Sequence, residues 1–461
     1  MQDFCRSFQT AEVFFYALKR RCRLVPLYRY CCVVELEVIV KTTALVLFIF
    51  MYIIMIALPK YRPHAALGIA LVYLVTGILP ISQLFSIINW NVLMMISGTM
   101  VLVYYFIESK MPAFLAGKIL DKASNVMYVT IFMSLFAGIV SAFIDNVATV
   151  LIVAPVALAI CRTLNISPVS MLLSIAVSSN LQGAATLVGD TTSILLGDYA
   201  HMDFLDFFWM KGRPGIFFAV ELGALSTVLV MYVLFRKQTA PVKSGPKTEV
   251  SNYIPSVMLV AMVACLILAS FKKDKPDITN GLICIALALL TALIDLIRTR
   301  DVNHFKSALK SVDTETLLLL TGLFVVIGGI TNVGIIDDLA SIIAKLGSGN
   351  LFFLYTLVVW GSVLISAFVD NIPYVATMLP VLTGVCSSLG IEPYLLYFGL
   401  LSGATLGGNL TPIGASANIT AVGMLRKEGY EVSFKEFLRI GLPFTLAAVT
   451  TAYIFLWVVW R

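Results

Sequence analysis

The chain has little charge for its length. Asp, Glu, Lys and Arg together make up 13% of its 461 residues, whereas 59% of the residues are hydrophobic. No soluble domain carries so much apolar surface, so this composition excludes a water-soluble fold. It predicts an all-α polytopic membrane protein, because helices satisfy their own backbone hydrogen bonds inside a bilayer.

Cysteine and histidine are sparse and form no metal-binding or disulfide pattern. Four of the eight cysteines fall within the first 32 residues, and the others are scattered through apolar stretches. His64, His201 and His304 fall in predicted loops or at helix ends, without metal-ligand spacing. We therefore expect no disulfide framework, no zinc site and no cofactor.

Basic residues are in excess, but they do not indicate a nucleic-acid partner. Most Lys and Arg residues lie in short loops beside apolar segments, where membrane topology explains the net charge of +6. Residues 1–37 carry six of the 32 basic residues and lack the small-residue cleavage site of a signal peptide. They are either a basic amphipathic extension or the product of a translation start placed too early, and we assign them no function.

A polar motif occurs twice in the apolar sequence. Residues 141–156 read SAFIDNVATVLIVAPV, and residues 366–381 read SAFVDNIPYVATMLPV, an offset of 225. The first copy holds the pair Asp145-Asn146, and the second holds the pair Asp370-Asn371. A carboxylate is costly in hydrocarbon, so the two pairs predict a functional site. Asp and Asn are also favoured helix caps, and capping is compatible with ligand binding.

A second polar element follows each motif at the same offset. Residues 178–194 read SSNLQGAATLVGDTTSI, and residues 403–419 read GATLGGNLTPIGASANI. Such mid-membrane Gly, Thr, Asn and Pro interrupt helical hydrogen bonding, which is tolerated only where the backbone lines an enclosed or watered cavity. The two elements share Gly183 with Gly408, Thr186 with Thr411, and Gly189 with Gly414.

The order of the apolar blocks divides the chain into halves at 38–238 and 252–461, joined by a polar linker at 239–251. Two blocks before each interrupted span are short. In the first half they are 126–140 and 147–161, which reach only about 22 Å each, less than the roughly 30 Å hydrocarbon core. They predict a re-entrant hairpin with Asp145 at its tip, and the second half predicts another at Asp370.

A hairpin makes no net crossing, so each half is predicted to have five spans, a re-entrant hairpin and a discontinuous helix. Five is odd, and the two halves are therefore expected to be inverted repeats, an architecture of secondary transporters. The loops on one predicted side carry 18 Lys and Arg residues. The other side carries 8 once residues 1–37 are set aside. The first side is accordingly expected to be cytoplasmic.

Broken helices predict the chemistry of the site. Free amides at half-helix N-termini suit an anion, whereas carbonyl, hydroxyl and carboxylate oxygens suit a small hard cation. We expect one ligand site between the two hairpin tips and the two unwound segments, with a sodium site near Asp145, Asn146, Asp370 and Asn371. The candidate ligands are Ser141, Asp145, Asn146, Thr149, Asn180, Gly183, Thr186, Gly189, Asp190, Thr191, Ser366, Asp370, Asn371, Thr405, Gly408, Asn409, Thr411, Gly414, Ser416 and Asn418.

Two acidic residues have no acidic counterpart in the other half. Asp190 is matched by Ala415, so any role it has is asymmetric: it is a ligand for the coupling ion, a proton carrier or a partly hydrated structural Asp. Glu221 lies in an apolar span and is a weaker candidate for a proton path. An intramembrane aspartyl protease would also need two aspartates, but its Gly-x-Gly-Asp signature is absent, since residues 187–190 read LVGD. We therefore expect no enzymatic activity.

Asp-Asn hairpin tips followed by G-x-x-T-x-x-G and GGNLTPIGASAN resemble the ion transporter superfamily, in the branch of arsenite permeases, NhaD-type sodium/proton antiporters and P protein-like members. The resemblance extends from about residue 43 to the C-terminus and is most specific over residues 407–418. It implies a homodimer in which the transport elements, 126–200 and 350–424, move as an elevator against a scaffold formed by the remainder. The stretches 111–121 and 336–346 would link the two parts.

The substrate remains open at this point. Gly189 and Asp190 are followed by Thr-Thr-Ser, which is closer to the sodium/proton antiporters than the Pro-Pro-Asn of many relatives. The Asp-Asn tip differs from the Ser-Asn-Thr tip of related divalent anion:sodium symporters, which argues against a dicarboxylate. We expect an integral protein of a bacterial plasma membrane, in contact with lipid, that moves a small inorganic ion. Sodium/proton antiport and arsenite or anion transport are the leading modes, with sodium or protons as coupling ion. A passive anion channel and a sodium-coupled dicarboxylate carrier are the alternatives.

Overall fold

The computed structural model describes residues 26–120, 123–242, 248–272, 274–347 and 349–461, with side chains from Glu37 onward. The predicted N-terminal extension lies outside the described residues as far as position 25, and part of the predicted linker, 243–247, also lies outside them. The described chain is nearly all helical, as predicted. Its β-structure is a two-stranded ribbon of β1 (Trp209–Met210) and β2 (Arg213–Pro214).

Ten helices form the first half of the described chain, and ten form the second. Those of the first half are α1 (Pro26–Ala57), α2 (Arg62–Thr76), α3 (Leu84–Ile87), α4 (Trp90–Glu108), α5 (Met111–Leu120), α6 (Val126–Ser141), α7 (Asn146–Leu164), α8 (Val169–Gly183), α9 (Thr191–Tyr199) and α10 (Ile216–Phe235). Those of the second half are α11 (Ile254–Ser270), α12 (Thr279–Thr299), α13 (Val302–Lys310), α14 (Thr314–Asn332), α15 (Ile335–Leu346), α16 (Leu351–Ser366), α17 (Asn371–Leu389), α18 (Tyr394–Leu401), α19 (Ser416–Lys427) and α20 (Phe434–Trp460).

Eight of the described helices are long and apolar enough to cross a membrane. They include α7 and α17, the second arms of the two predicted hairpins, which have 19 residues each and reach about 28 Å. The second arms are thus longer than the apolar blocks that predicted them and come close to the thickness of a hydrocarbon core, whereas the first arms, α6 and α16, are 16 residues each. Each helix begins at the Asn after the capping Asp and continues past the apolar block, because polar residues outside the hydrocarbon can remain helical. Re-entrance of the hairpins stays a prediction.

The hairpin helices have the same boundaries in both halves. Helices α6 and α16 are related by an offset of 225 at both ends, and so are α7 and α17. The caps repeat as well: Asn125 Oδ1 accepts from Tyr128 N and Asn350 Oδ1 accepts from Phe353 N, both at 3.1 Å. Similar local sequence therefore produces the same helix starts in both halves.

The chain divides into two compact units, and each draws on both halves of the sequence. The described part of the first unit runs to Asn89 and adds Thr314–Leu346 and Thr383–Leu389. In it α2 packs on α14, where a Cβ on Gly322 would come within 2.8 Å of the Ala66 Cβ. The two compact units therefore do not coincide with the two predicted sequence halves. The division into halves and transport elements stays a prediction.

The second unit contains every candidate ligand. It comprises Trp90–Asp313, Gly347–Leu382 and Gly390–Arg461. Helix α10 packs on α20, and a Cβ on Gly223 would lie 3.1 Å from the Ala448 carbonyl oxygen. Within this unit α6 packs on α8, and the first hairpin is thereby held against the first interrupted helix.

Candidate functional site

Both interrupted helices unwind where the sequence predicts. Helix α8 ends at Gly183, and α9 begins eight residues later at Thr191. In the second half α18 is followed by a π-helical turn, Ser402–Leu406, and a 3-10 turn, Gly408–Leu410, before α19 begins at Ser416. The helices after the two breaks start 225 residues apart, so the unwound segments occupy equivalent places in the chain.

Equivalent hydrogen bonds tie each unwound segment to its own hairpin tip. The Thr186 hydroxyl donates to the Ala142 carbonyl, and the Thr411 hydroxyl donates to the Ala367 carbonyl. All four residues are buried, and both bonds span 44 positions. The predicted pair Thr186 and Thr411 therefore connects hairpin and break in each half.

Two glycines permit this close approach. A Cβ on Gly189 would lie 2.6–2.7 Å from the carbonyl oxygens of Gly183, Ala142 and Ser141. A Cβ on Gly414 would meet three equivalent carbonyl oxygens at 2.6–2.9 Å. Since real Cβ atoms do not come so near to backbone oxygen, only glycine fits at either position.

A network of side-chain amides joins the two halves. Asn180 donates from Nδ2 to the Thr405 carbonyl at 2.7 Å and to Asn409 Oδ1 at 3.0 Å. Its Oδ1 accepts from Asn146 Nδ2 of the first hairpin tip at 3.0 Å, and Asn409 Nδ2 donates to the Val177 carbonyl at 2.8 Å. The side-chain amides of Asn146, Asn180 and Asn409 are all buried, so their hydrogen bonds form in a low-dielectric interior where they are strong.

Asp190 belongs to the same network. The Thr192 hydroxyl donates to Asp190 Oδ2 at 2.7 Å and lies 3.0 Å from the Thr405 hydroxyl oxygen of the other half. The buried Asp190 side chain is therefore connected through Thr192 to the second interrupted helix. Asp145 and Asp370 lie on the two hairpin tips, which the Thr186 and Thr411 hydrogen bonds tie to the same interrupted helices.

The aspartates at the hairpin tips are helix caps. Asp145 Oδ2 accepts from the backbone amides of Val147 and Ala148, at 3.0 and 3.2 Å. Asp370 Oδ1 accepts from the Ile372 amide at 3.1 Å. The capping interpretation is therefore confirmed. It leaves other lone pairs of each carboxylate for a ligand, since a carboxylate can accept about four hydrogen bonds.

The second tip is paired differently from the first. Ser416 donates to Asp370 Oδ2 at 3.4 Å, and Asn418 Nδ2 donates to the carbonyls of Gly408 and Thr411 at 3.1 Å. Among the described residues, Asn371 Nδ2 has no hydrogen-bond partner although its side chain is buried. Its counterpart Asn146 donates to Asn180, but the residue equivalent to Asn180 is Thr405, which has no side-chain amide to accept this bond.

The remaining predicted residues also lie in this region. Ser141 accepts from the Ser179 hydroxyl at 3.1 Å, and Ser366 donates to the Ala404 carbonyl at 2.6 Å. Thr149 and Thr191 are buried near the starts of α7 and α9. Sequence reasoning missed Thr192, Ser179 and Gln182, although all three are polar residues of the repeated element at 178–194.

The charge of the region is acidic except for one residue. Residues 126–200 and 350–424 contain a single basic residue, Arg162, which forms an ion pair with Glu428 at the far ends of α7 and α19. Among the described residues, no group of three or more His, Cys, Asp or Glu side chains is placed to hold a metal ion. A cation here would therefore be coordinated largely by amide, hydroxyl and backbone oxygens, and the predicted sodium site stays a prediction.

Known proteins resemble this chain over most of its length. A family model described as citrate transporter (CitMHS) matches residues 45–401. An uncharacterized transporter of Mycobacterium tuberculosis is 32% identical over 381 residues, which cover 80% of this chain and 86% of that protein. The P protein of Mus musculus is 27% identical over 447 residues, covering 80% of this chain and 54% of the P protein, so the chain spans about half of that relative.

A solved structure has a similar fold. The YdaH transporter of Alcanivorax borkumensis matches with a TM-score of 0.59 and 16% sequence identity, over 84% of this chain and 88% of that chain. At this identity the likeness concerns the fold alone. It agrees with the helical architecture predicted from the sequence.

Proposed function

The chain belongs to the citrate transporter (CitMHS) family of the ion transporter superfamily, and from this membership we propose that it is an ion-coupled secondary transporter of a small ion. It is a membrane transporter of the CitMHS and P protein type. The proposal adds ion coupling and the class of ligand, with sodium/proton antiport as the leading mode.

The observation that carries the proposal is the acidic character of the buried polar network. The Asp190 carboxylate is buried and accepts from Thr192, while Arg162, the only basic residue of segments 126–200 and 350–424, pairs with Glu428. Carboxylates buried without a basic partner are costly, and binding a cation or a proton removes that cost. We therefore expect sodium or a proton to occupy this region during part of the cycle.

Asp190 is the best candidate to carry the coupling ion. It is buried, its carboxylate accepts from Thr192, and Thr192 in turn contacts Thr405 of the other half. A change of charge at Asp190 would therefore alter contacts that join the two interrupted helices. Asp145 and Asp370 would contribute charge from the two helix caps.

A specific observation favours a second candidate, the transport of an oxyanion. The buried Asn371 amide, which has no partner among the described residues, could donate to an oxygen of arsenite or of a carboxylate such as the citrate named in the family description. The acidic surroundings require any such anion to enter with cations or protons. Coupled uptake of a carboxylate and a passive anion channel are thus the alternatives to antiport.

The wider mechanism is also a proposal. Repeated hairpin boundaries and equivalent hairpin-to-break bonds support two structurally related halves, which we propose to be inverted. The superfamily resemblance supports an elevator movement within a homodimer, and the bacterial relatives support a bacterial plasma membrane.

The test is a flux assay with the purified full-length protein in sealed proteoliposomes. Sodium, protons, chloride, arsenite and citrate would be varied one at a time, with pH and membrane potential set independently. Sodium-driven proton movement against a proton gradient would support antiport. Concentrative arsenite or citrate uptake would favour the second candidate, and conductance without stoichiometric counter-ion movement would show a channel. Empty liposomes and Asp190→Asn protein are the controls.

A further inference from the structure

Glu221 is an acidic residue in the second turn of an apolar helix. It lies in α10 within the sequence FFAVELGAL, is half-buried, and has leucine at the equivalent position of the other half. Ionisable residues within membrane-spanning helices are rare, because their charged form is costly in hydrocarbon. Among the described residues, the side-chain hydrogen bond of Glu221 is to Gln182 and not to Asp145, Asp190 or Asp370, so its presence needs a separate explanation.

The side chain of Gln182 contacts Glu221 directly. Gln182 Nε2 donates to Glu221 Oε2 at 2.8 Å, and the Gln182 side chain is 1% exposed. Gln182 occupies the last turn of α8, where its carbonyl accepts from the Ala185 amide at 2.9 Å just before the helix unwinds. The contact therefore joins an acidic group on one helix to the start of the break in another.

The oxygen of the Gln182 side-chain amide is not used in this contact. Within the described part of the chain, Gln182 Oε1 is buried and has no hydrogen-bond partner. An amide can donate from nitrogen to a carboxylate or, after rotation by half a turn, accept at oxygen from a protonated carboxyl. Gln182 can thus pair with Glu221 in either protonation state, and in the rotated orientation the unused Oε1 accepts from the protonated carboxyl.

Few charges surround this pair. The helices that pack most extensively on α10 are α6, α8 and α20, and the first two contain no charged residue. Helix α20 carries Lys435, Glu436 and Arg439 near its start, whereas its contact with Gly223 is at Ala448, about 13 Å further along.

The tyrosines of these helices are directed elsewhere or lie near a helix end. The Tyr453 hydroxyl of α20 is 2.7 Å from Thr356 Oγ1, and Tyr128 lies near the start of α6, where it contacts Phe132. Tyr232 is on α10 itself, eleven residues after Glu221. The protonation of Glu221 therefore depends chiefly on its contact with Gln182.

We propose that Glu221 and Gln182 form a proton-binding site separate from the ion-binding network. The proton comes from water and binds a Glu221 carboxylate oxygen, and the Gln182 amide rotates to accept from the new hydroxyl. Rotation changes the contacts of the last turn of α8 and thereby the position of the unwound segment that ends at Asp190. The role in transport rests on the proposed function, whereas proton binding itself does not.

Gly138 supplies an independent way to disturb the amide. It lies on α6 opposite Gln182, and a Cβ added there would overlap the Gln182 side-chain amide. Gly138→Ala should therefore displace Gln182 while leaving Glu221 intact. Gly361→Ala, on the corresponding arm of the second hairpin, meets no atom within 4 Å and is the matched control.

The first measurement is infrared titration of the purified full-length protein in lipid. We expect a protonated-carboxyl band that titrates in the unmodified protein and in Asp190→Asn, and that is missing in Glu221→Gln. A band of unchanged intensity in Glu221→Gln would overturn the proposal. Because no transport is measured, this result is independent of whether the proposed function holds.

The second measurement is the pH profile of transport in proteoliposomes. Glu221→Gln and Gly138→Ala should both move the midpoint of the maximal rate by about one pH unit or more, with KM for the ion unchanged. Glu221→Asp should restore part of the pH dependence, and Gly361→Ala should match the unmodified protein. An unaltered profile in Glu221→Gln, or equal effects of the two glycine variants, would contradict a positioning role.

Discussion

Asn180 donates a hydrogen bond to the carbonyl oxygen of Thr405 at 2.7 Å, and these two residues are separated by 225 positions. That separation is the offset of the sequence repeat, so a residue of the first half contacts its own counterpart in the second. The two interrupted helices therefore meet at equivalent points. Asn in one half and Thr in the other also make the junction asymmetric, which leaves the Asn371 amide without the partner that Asn146 has.

Asn180→Ala should destabilise the protein. The change removes bonds to Asn146, Thr405 and Asn409 and leaves buried polar groups unpaired, which costs about 1–3 kcal/mol for each such group. Thermal unfolding in detergent should show a clearly lower midpoint. Asn332→Ala, which removes an exposed bond to Gln83, is the control and should have little effect. Equal midpoints for the two variants would argue against the network as a stabilising element.

Replacing the aspartates with asparagine should impair coupled transport. Asp145→Asn, Asp190→Asn and Asp370→Asn each keep the shape of the side chain but remove its charge. Loss of a charged interaction of about 1.5–3 kcal/mol corresponds to a tenfold to hundredfold lower rate of coupled exchange. Proteoliposome flux measures this, with the exposed Asp274→Asn as control. Normal transport by all three variants would remove these carboxylates from the mechanism.

Alanine should be poorly tolerated at Gly189 and at Gly414. The new Cβ would lie 2.6–2.9 Å from three backbone oxygens in each case, and such overpacking costs about 1–3 kcal/mol. Both variants should unfold at lower temperature by similar amounts, because their surroundings are equivalent. Gly423→Ala meets no atom within 4 Å and should be unaffected. A large difference between the two variants would show that the equivalence does not extend to energetics.

Cysteine labelling tests whether the halves are inverted. Thr163 and Ser388 are exposed residues at the ends of α7 and α17, and their hydroxyls donate to carbonyls four residues earlier, at 2.9 and 2.8 Å. In a cysteine-free background, a membrane-impermeant maleimide should label Thr163→Cys from one face and Ser388→Cys from the other. Labelling of both from the same face would refute inversion.

The sequence could predict the helices because their signals are local. These signals are the apolar blocks, the caps at Asn125 and Asp145, and the glycines of the breaks, and each acts within a few residues. The sequence repeat, at an offset of 225, places a similar set of signals in both halves. The lengths of the second hairpin arms were underestimated for the same reason. An apolar block marks the length in hydrocarbon, whereas helix α7 continues through Arg162 to Leu164.

The sequence by itself determined the protein class, the positions of the breaks and most candidate ligands. Only the tertiary structure decided which polar groups meet: Asn180 with Thr405 and Asn409, Thr192 with Asp190, and Gln182 with Glu221. Most of these contacts join different helices, up to 229 positions apart, and depend on how each helix is rotated and packed. Periodicity and composition specify which face of a helix is polar, but not which polar face of another helix it will contact.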